Sequence, residues 1–318
     1  MNMNGFKKVI ATTLIIASVA VGIGAYILYE SGLSSREIEE SIRNFFGGNE
    51  LNLDLGDAVS VSEEKAIVLG SKEEISINTS IGDIEVREHD GEDILLNLEG
   101  NVPSKYKDNY YQVSDTGTKL QIDVLNKITN LNIMGLGNYN IKITLLVPKG
   151  FQGDLYLATV SGETLVEGLE LETLSLTGVS GDMTLTEGTY GVLDFKNVSG
   201  SVFCDSATGN VSGDTVSGAI TVTGVKDLVK LNTVSGKISS TIDDLQGTAK
   251  LVSVSGDINL EILNSGEVSY KLSSISGRLS AEDNGVVTKG EKSLSETFTN
   301  AQGLIEASTV SGRISIKY

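Results

Sequence analysis

The chain predicts an all-β fold: a single-domain parallel β-solenoid, or β-helix, of about 18–21 residues per coil, preceded by an N-terminal transmembrane helix. Three observations predict it. A Val/Ile-Ser-Gly triplet returns at a nearly fixed interval, a strand-type alternation of apolar residues brackets each triplet, and one uncharged run near the N-terminus is long enough to cross a bilayer.

The uncharged run is Val9 to Tyr29, 21 residues, preceded by Lys7 and Lys8 and followed by Glu30, Glu37, Glu39 and Glu40. The positive-inside rule then leaves residues 1–8 in the cytoplasm and places everything after Tyr29 outside, as a single-pass protein of the cell membrane. Ser18-Val-Ala20 offers the competing reading of a cleaved signal peptide, but the apolar run continues through Tyr26-Ile-Leu-Tyr29 beyond that site, which suits an anchor. Residues 30–50 read as a juxtamembrane amphipathic helix or stalk. Ser34 and Glu37 have capping-box spacing, Leu33, Ile38, Ile42, Phe45 and Phe46 recur at roughly helical intervals, and Gly47-Gly48 ends the run.

The corners come next. Ser161-Gly162, Ser180-Gly181, Ser199-Gly200, Ser217-Gly218, Ser235-Gly236, Ser255-Gly256, Ser276-Gly277 and Ser311-Gly312 follow one another at intervals of 19, 19, 18, 18, 20, 21 and 35 residues. Aligned on glycine, the repeats carry mostly apolar residues at −7, −5, +2 and +4, a small residue at −3 and serine at −1. The ladders Leu157, Leu176, Phe195, Leu231, Leu251, Leu272 and Thr164, Met183, Val202, Ile220, Ile238, Ile258, Leu279, Ile314 are expected inside. A unit of two short strands cannot bury its apolar face alone, whereas stacked units share one core, and glycine lets the chain turn a corner in every coil. The serine is expected to bond backbone there. The stripe at −2, Val160, Val179, Val198, Val216, Val234, Val254, Ile275 and Val310, resists the scheme: strict alternation points it outward, while a bulge before the corner would turn it into the core, the reading preferred here. An extra Val211-Ser-Gly213 lies out of frame.

Residues 51–158 read as the irregular start of the solenoid with its cap, and Ser80-Ile-Gly-Asp-Ile-Glu-Val86 as a divergent first corner. Residues 159–318 form the regular solenoid, with a polar loop excursion at 282–303 that includes Asn284-Gly285.

Val147-Pro-Lys-Gly150, Val254-Ser-Gly-Asp-Ile258 and the terminal Val310-Ser-Gly-Arg-Ile-Ser-Ile316 behind an N-terminal anchor resemble the LiaG-like putative adhesin family of bacteria, over residues 75–318. The resemblance implies a β-solenoid ectodomain, in some members linked to envelope-stress operons, and transfers no catalytic residue. The family's aspartate after glycine is replaced here by Ala219, Lys237, Arg278 and Arg313, which argues against a uniform metal-binding ladder.

The net charge of −18 opposes nucleic acid and anionic headgroups. One cysteine, Cys204, at an inward position, allows neither an intramolecular disulfide nor a cysteine-based zinc site. The one histidine, His89, sits in a polar turn, Arg87 to Asp93, without a nucleophile motif. No catalytic residue, cofactor or metal ligand is expected. Tyr106, Tyr110 and Tyr111 are the candidate binding surface for sugar or protein, against a strand-edge role. The expected function is a non-catalytic, membrane-anchored extracytoplasmic module for adhesion, envelope binding or stress response. Its expected partners are the membrane through the N-terminal helix, cell-wall or surface components, or further copies of itself, and not nucleic acid. The alternatives are an end-to-end self-assembling envelope scaffold and a carbohydrate-active β-helix enzyme, which would need a carboxylate pair converging on one face.

Overall fold

The computed structural model describes residues 56–125, 139–205, 209–226, 228–263, 266–283 and 285–318. The anchor at 9–29 and the amphipathic segment at 33–46 lie outside the described residues, among which no helix is long and apolar enough to cross a membrane. The described residues are all-β apart from a 3-10 turn at Ser104–Tyr106.

The N-terminal strands are β1 (Ala58–Val68), β2 (Glu74–Thr79), β3 (Asp83–His89), β4 (Asp93–Pro103), β5 (Tyr111–Asp115), β6 (Lys119–Val124) and β7 (Asn140–Pro148). Six coils of two strands follow. They are β8 (Asp154–Ser161) with β9 (Thr164–Glu167), β10 (Glu170–Ser180) with β11 (Met183–Thr186), and β12 (Thr189–Ser199) with β13 (Val202–Cys204). Then come β14 (Asn210–Ser217) with β15 (Ile220–Val225), β16 (Val229–Ser235) with β17 (Ile238–Ile242), and β18 (Thr248–Ser255) with β19 (Ile258–Ile262). The chain ends in β20 (Val268–Ser276), β21 (Leu279–Asp283), β22 (Val286–Gly290), β23 (Ser293–Glu296), β24 (Gly303–Ser311) and β25 (Ile314–Lys317).

Each coil gives one strand to each of two sheets. One sheet runs β1-β4-β7-β3-β9-β11-β13-β15-β17-β19-β25-β21-β22 and the other β23-β20-β24-β18-β16-β14-β12-β10-β8-β2-β6-β5. The core lies between them, because the expected ladders face inward: Leu176, Phe195, Leu231 and Leu251 from one sheet and Met183, Val202, Ile220, Ile238 and Ile258 from the other are buried.

Chain order and rung order part at both ends. β2 and β3 pair with β8 and β9, and the coil of β6 and β7 stacks outside them, so the chain builds an inner rung, then an outer one, and returns past the first. At the other end β24 and β25 insert between β18/β19 and β20/β21. The outermost parallel rungs are closed by antiparallel strands, β4 and β5 at one end and β22 and β23 at the other. Among the described residues no parallel rung is left open to template another coil, and three of the four strands at the sheet edges have only four or five residues.

The −2 stripe is a correction. The small residue at −3 is the buried one, as at Thr159, Asn197, Thr215, Thr233, Ser253 and Thr309, so alternation continues without a bulge and the next side chain points out. Val179, Val198, Val216, Val234, Val254 and Val310 are half-buried against one another on the outside, Ile275 is 39% exposed, and only Val160 is covered. The out-of-frame Gly213 has a packing origin. It lies opposite Phe195 on the neighbouring rung, and a Cβ there would fall inside that ring.

Candidate functional surface

The glycine corner repeats because successive corners stack backbone on backbone. Gly181 has φ +130°, and a Cβ there would overlap the Gly162 carbonyl; the same obstruction recurs up the stack to Gly277, where the Gly312 carbonyl stands in the way. The serine before each glycine contributes its backbone carbonyl, which accepts from the glycine N–H of the preceding rung: Gly162 N–H donates to Ser180 O at 3.1 Å and Gly218 N–H to Ser235 O at 3.1 Å. From Ser180 onward the serine side chains are exposed, and among the described residues none of the corner serine hydroxyls makes a hydrogen bond, contrary to the expected backbone capping.

Two other positions supply that capping. At −3, Asn197 Nδ2 donates to Gly181 O at 2.9 Å and to Gly200 O at 3.3 Å. At +1, the aspartates reach to the next rung: Asp83 Oδ1 accepts from Glu163 N–H at 2.8 Å, Asp182 Oδ1 from Ser201 N–H at 2.7 Å, and Asp257 Oδ1 from Arg313 N–H at 2.7 Å. The aspartate after glycine is thus a backbone cap, which accounts for its recurrence without a metal. Its signal in the sequence is the Gly-Asp pair at a corner, and the side-chain direction is what the sequence alone does not carry.

The tyrosine cluster is mostly structural. Tyr110 is 5% exposed, its ring centroid 5.1 Å from that of Tyr111, and Tyr106 and Tyr111 pack half-buried against the core, so Tyr110 turns no face to a ligand. Burial, helped by the nearby Glu63 carboxylate, pushes the Tyr110 hydroxyl up to about 12. His89 is held within its own turn: Nδ1 accepts from Gly91 N–H at 3.2 Å and Nε2–H donates to Asp93 O at 2.8 Å. Cys204 is buried. Among the described residues no cluster of three His, Cys, Asp or Glu is placed to hold a metal ion.

Two clefts of about 630 Å³ lie at the C-terminal end. One is lined by Ser269, Lys271, Glu296 and Gln302. The other is lined by Glu261, Glu267, Glu282, Phe298 and Tyr318, with Lys317 Nζ 2.7 Å from Glu261 Oε1. The first also holds Tyr270, whose hydroxyl donates to Glu296 Oε2 at 3.1 Å.

The outer surface is a repeating set of ladders with two clefts at its C-terminal end. No curated protein matches the chain. Among solved structures, a "putative adhesin" from Bacteroides fragilis NCTC 9343 shares 14% identity, with 81% of this chain and 96% of that one covered and a TM-score of 0.37. A "putative adhesin" from Parabacteroides merdae ATCC 43184 shares 11%, covering 80% and 95%, TM-score 0.35. A "putative lipid binding protein" from Parabacteroides distasonis ATCC 8503 shares 16%, covering 80% and 96%, TM-score 0.30. The Toastrack DUF4097 family matches residues 72–317, most of the chain, and the chain belongs to that family.

Proposed function

We propose that the protein is a membrane-anchored, extracytoplasmic, non-catalytic module of the cell envelope that acts by binding along its ladders, close in kind to the LiaG-like adhesins. The observation that carries this reading is the pairing of two long, end-closed sheets with chemically quiet residues: the histidine is bound in its turn, the cysteine is buried, and the side chains that repeat on the outside are Ser, Thr, Val and single charges. Such a surface presents one chemistry many times at the spacing of β-strands, about 4.8 Å, which suits a repetitive or extended ligand. The uncharged run at 9–29 supports attachment to the membrane.

The test is co-sedimentation of the soluble fragment 31–318 with isolated envelopes, intact or enzymatically stripped of glycan, protein or lipid, alongside protease accessibility of a C-terminal tag on whole cells. The reading expects envelope-dependent pelleting that one stripping treatment abolishes, and a tag cut from outside. A fragment that stays in the supernatant with every preparation, or a tag cut only after lysis, overturns it.

A further inference from the structure

Rung order, the outward valine stripe and the distribution of charge along the glycine corner converge on a second copy of this chain. In space the eight corners run Gly162, Gly181, Gly200, Gly218, Gly236, Gly256, Gly312, Gly277. Consider the same ten-residue window, from −6 to +3, on every rung. The first four windows hold one cation, Lys196, against four anions, Glu163, Asp182, Asp194 and Asp214. The last four hold six cations, Lys230, Lys237, Lys250, Lys271, Arg278 and Arg313, against two anions, Asp257 and Glu306. In a chain of net charge −18, one half of this ridge is thus negative and the other positive.

Glu163, Asp182, Arg278 and Arg313 are exposed, and none of them forms an ion pair within the described chain. Arg313 and Arg278 stand side by side on adjacent rungs, Ser311 opposite Ser276, with the single carboxylate of Asp257 on the rung beyond Arg313, so the corner is net positive there. The outward stripe from Val179 to Ile275 runs along the same ridge, for about 29 Å at 4.8 Å per rung.

We propose that the glycine corner is an isologous interface on which two copies pack antiparallel. A two-fold axis lying across the ridge, between the Gly218 and Gly236 rungs, sets each copy's valine stripe on the other's and brings +1 positions face to face. Glu163 then meets Arg278 of the second copy and Asp182 meets Arg313 of the second copy, each contact occurring twice, while the Asp214 rung meets Lys230 of the second copy. A shift by one rung toward Gly82 would instead set Asp182 against Asp257 of the second copy, so charge selects the register. Val160 is covered, and the axis pairs the six half-buried valines, Val179, Val198, Val216, Val234, Val254 and Val310, with one another across the two copies. Near 0.15 M salt, screening beyond about 8 Å suppresses the repulsion between two −18 chains but not the contacts on the ridge. A ridge this narrow buries less than a standard interface, and the dimer is correspondingly weak. This inference does not depend on what the module binds or where it resides.

The test is sedimentation velocity of the full chain in detergent buffer at physiological salt, over a concentration series, for the wild type, Glu163→Arg, Arg278→Glu and the combined variant, with thermal melting as the folding control. Each single reversal should weaken dimerisation about tenfold or more, and the combined reversal, which restores opposite charges in both contacts, should recover it. A monomer at every concentration overturns the proposal. So does a dimer indifferent to the single reversals, which would lie on another surface. A monomer that binds polyphosphate in a manner lost with Arg278→Glu would overturn it in favour of an anionic polymer on the positive half.

Discussion

At the scale of single residues, the fold is decided by close approach more than by propensity. Phe195 is the largest member of its ladder, and the rung beside it yields with Gly213. Gly213→Ala and Phe195→Leu should each destabilise, the first by steric overlap and the second by a cavity, and their combination should cost less than the sum by about 1 kcal/mol or more in a double-mutant cycle followed by chemical denaturation. Strict additivity would separate the two. Tyr110 gives a pH-dependent counterpart. Its hydroxyl is buried without a partner and titrates at about 12 in the fold against 10 in the unfolded chain, so its contribution is complete below pH 10 and is lost as the pH rises from 10 to 12. Tyr110→Phe should leave stability at pH 8 unchanged or higher and should flatten the decline between pH 8 and 11; an unchanged slope would contradict the burial described.

At the scale of elements, the rung is the unit of stability. Ile258 is fully buried in its ladder between Ile238 and Ile314, and Ile258→Asp should cost several kcal/mol in thermal or denaturant unfolding as an unpaired buried charge; an unchanged transition would remove the ladder from the account. Deleting residues 303–318 withdraws the rung that separates β18/β19 from β20/β21, and hydrogen exchange should then accelerate in both neighbours while the rungs before Gly218 stay protected. Uniform protection would mean that the two flanking rungs close directly. These elements differ in how far the sequence discloses them. The corner glycines and inward ladders are legible because every coil repeats them, and the −7 and −5 residues are buried as alternation requires. The insertion of β24 and β25 is not legible, because one rung's inward face fits any other's equally well and strand order leaves no mark on a periodic pattern. The valine stripe was legible in principle: alternation carried through −3 places it outside, and only the preference for burying β-branched residues argued otherwise.

At the scale of the whole molecule, the two capped ends and the repeated flanks fit the proposed role of a module that presents surface. Antiparallel strands over both outermost rungs, three of the four edge strands being only four or five residues long, disfavour the end-to-end stacking that a filament needs. Of the functional surface, the +1 charges could be read in sequence once the rungs were aligned. The pairing of Asp182 with the next rung's amide, and the adjacency of Arg313 to Arg278, needed the structure. The central claim is that the protein binds without turnover. It is tested most directly by incubating the fragment 31–318 at substoichiometric concentration with isolated envelopes and following, by mass spectrometry, both the pelleted protein and any fragments released into solution. The account predicts protein in the pellet and a supernatant no different from the untreated control; release of glycan, peptide or lipid fragments that grows with time and with protein added would contradict it.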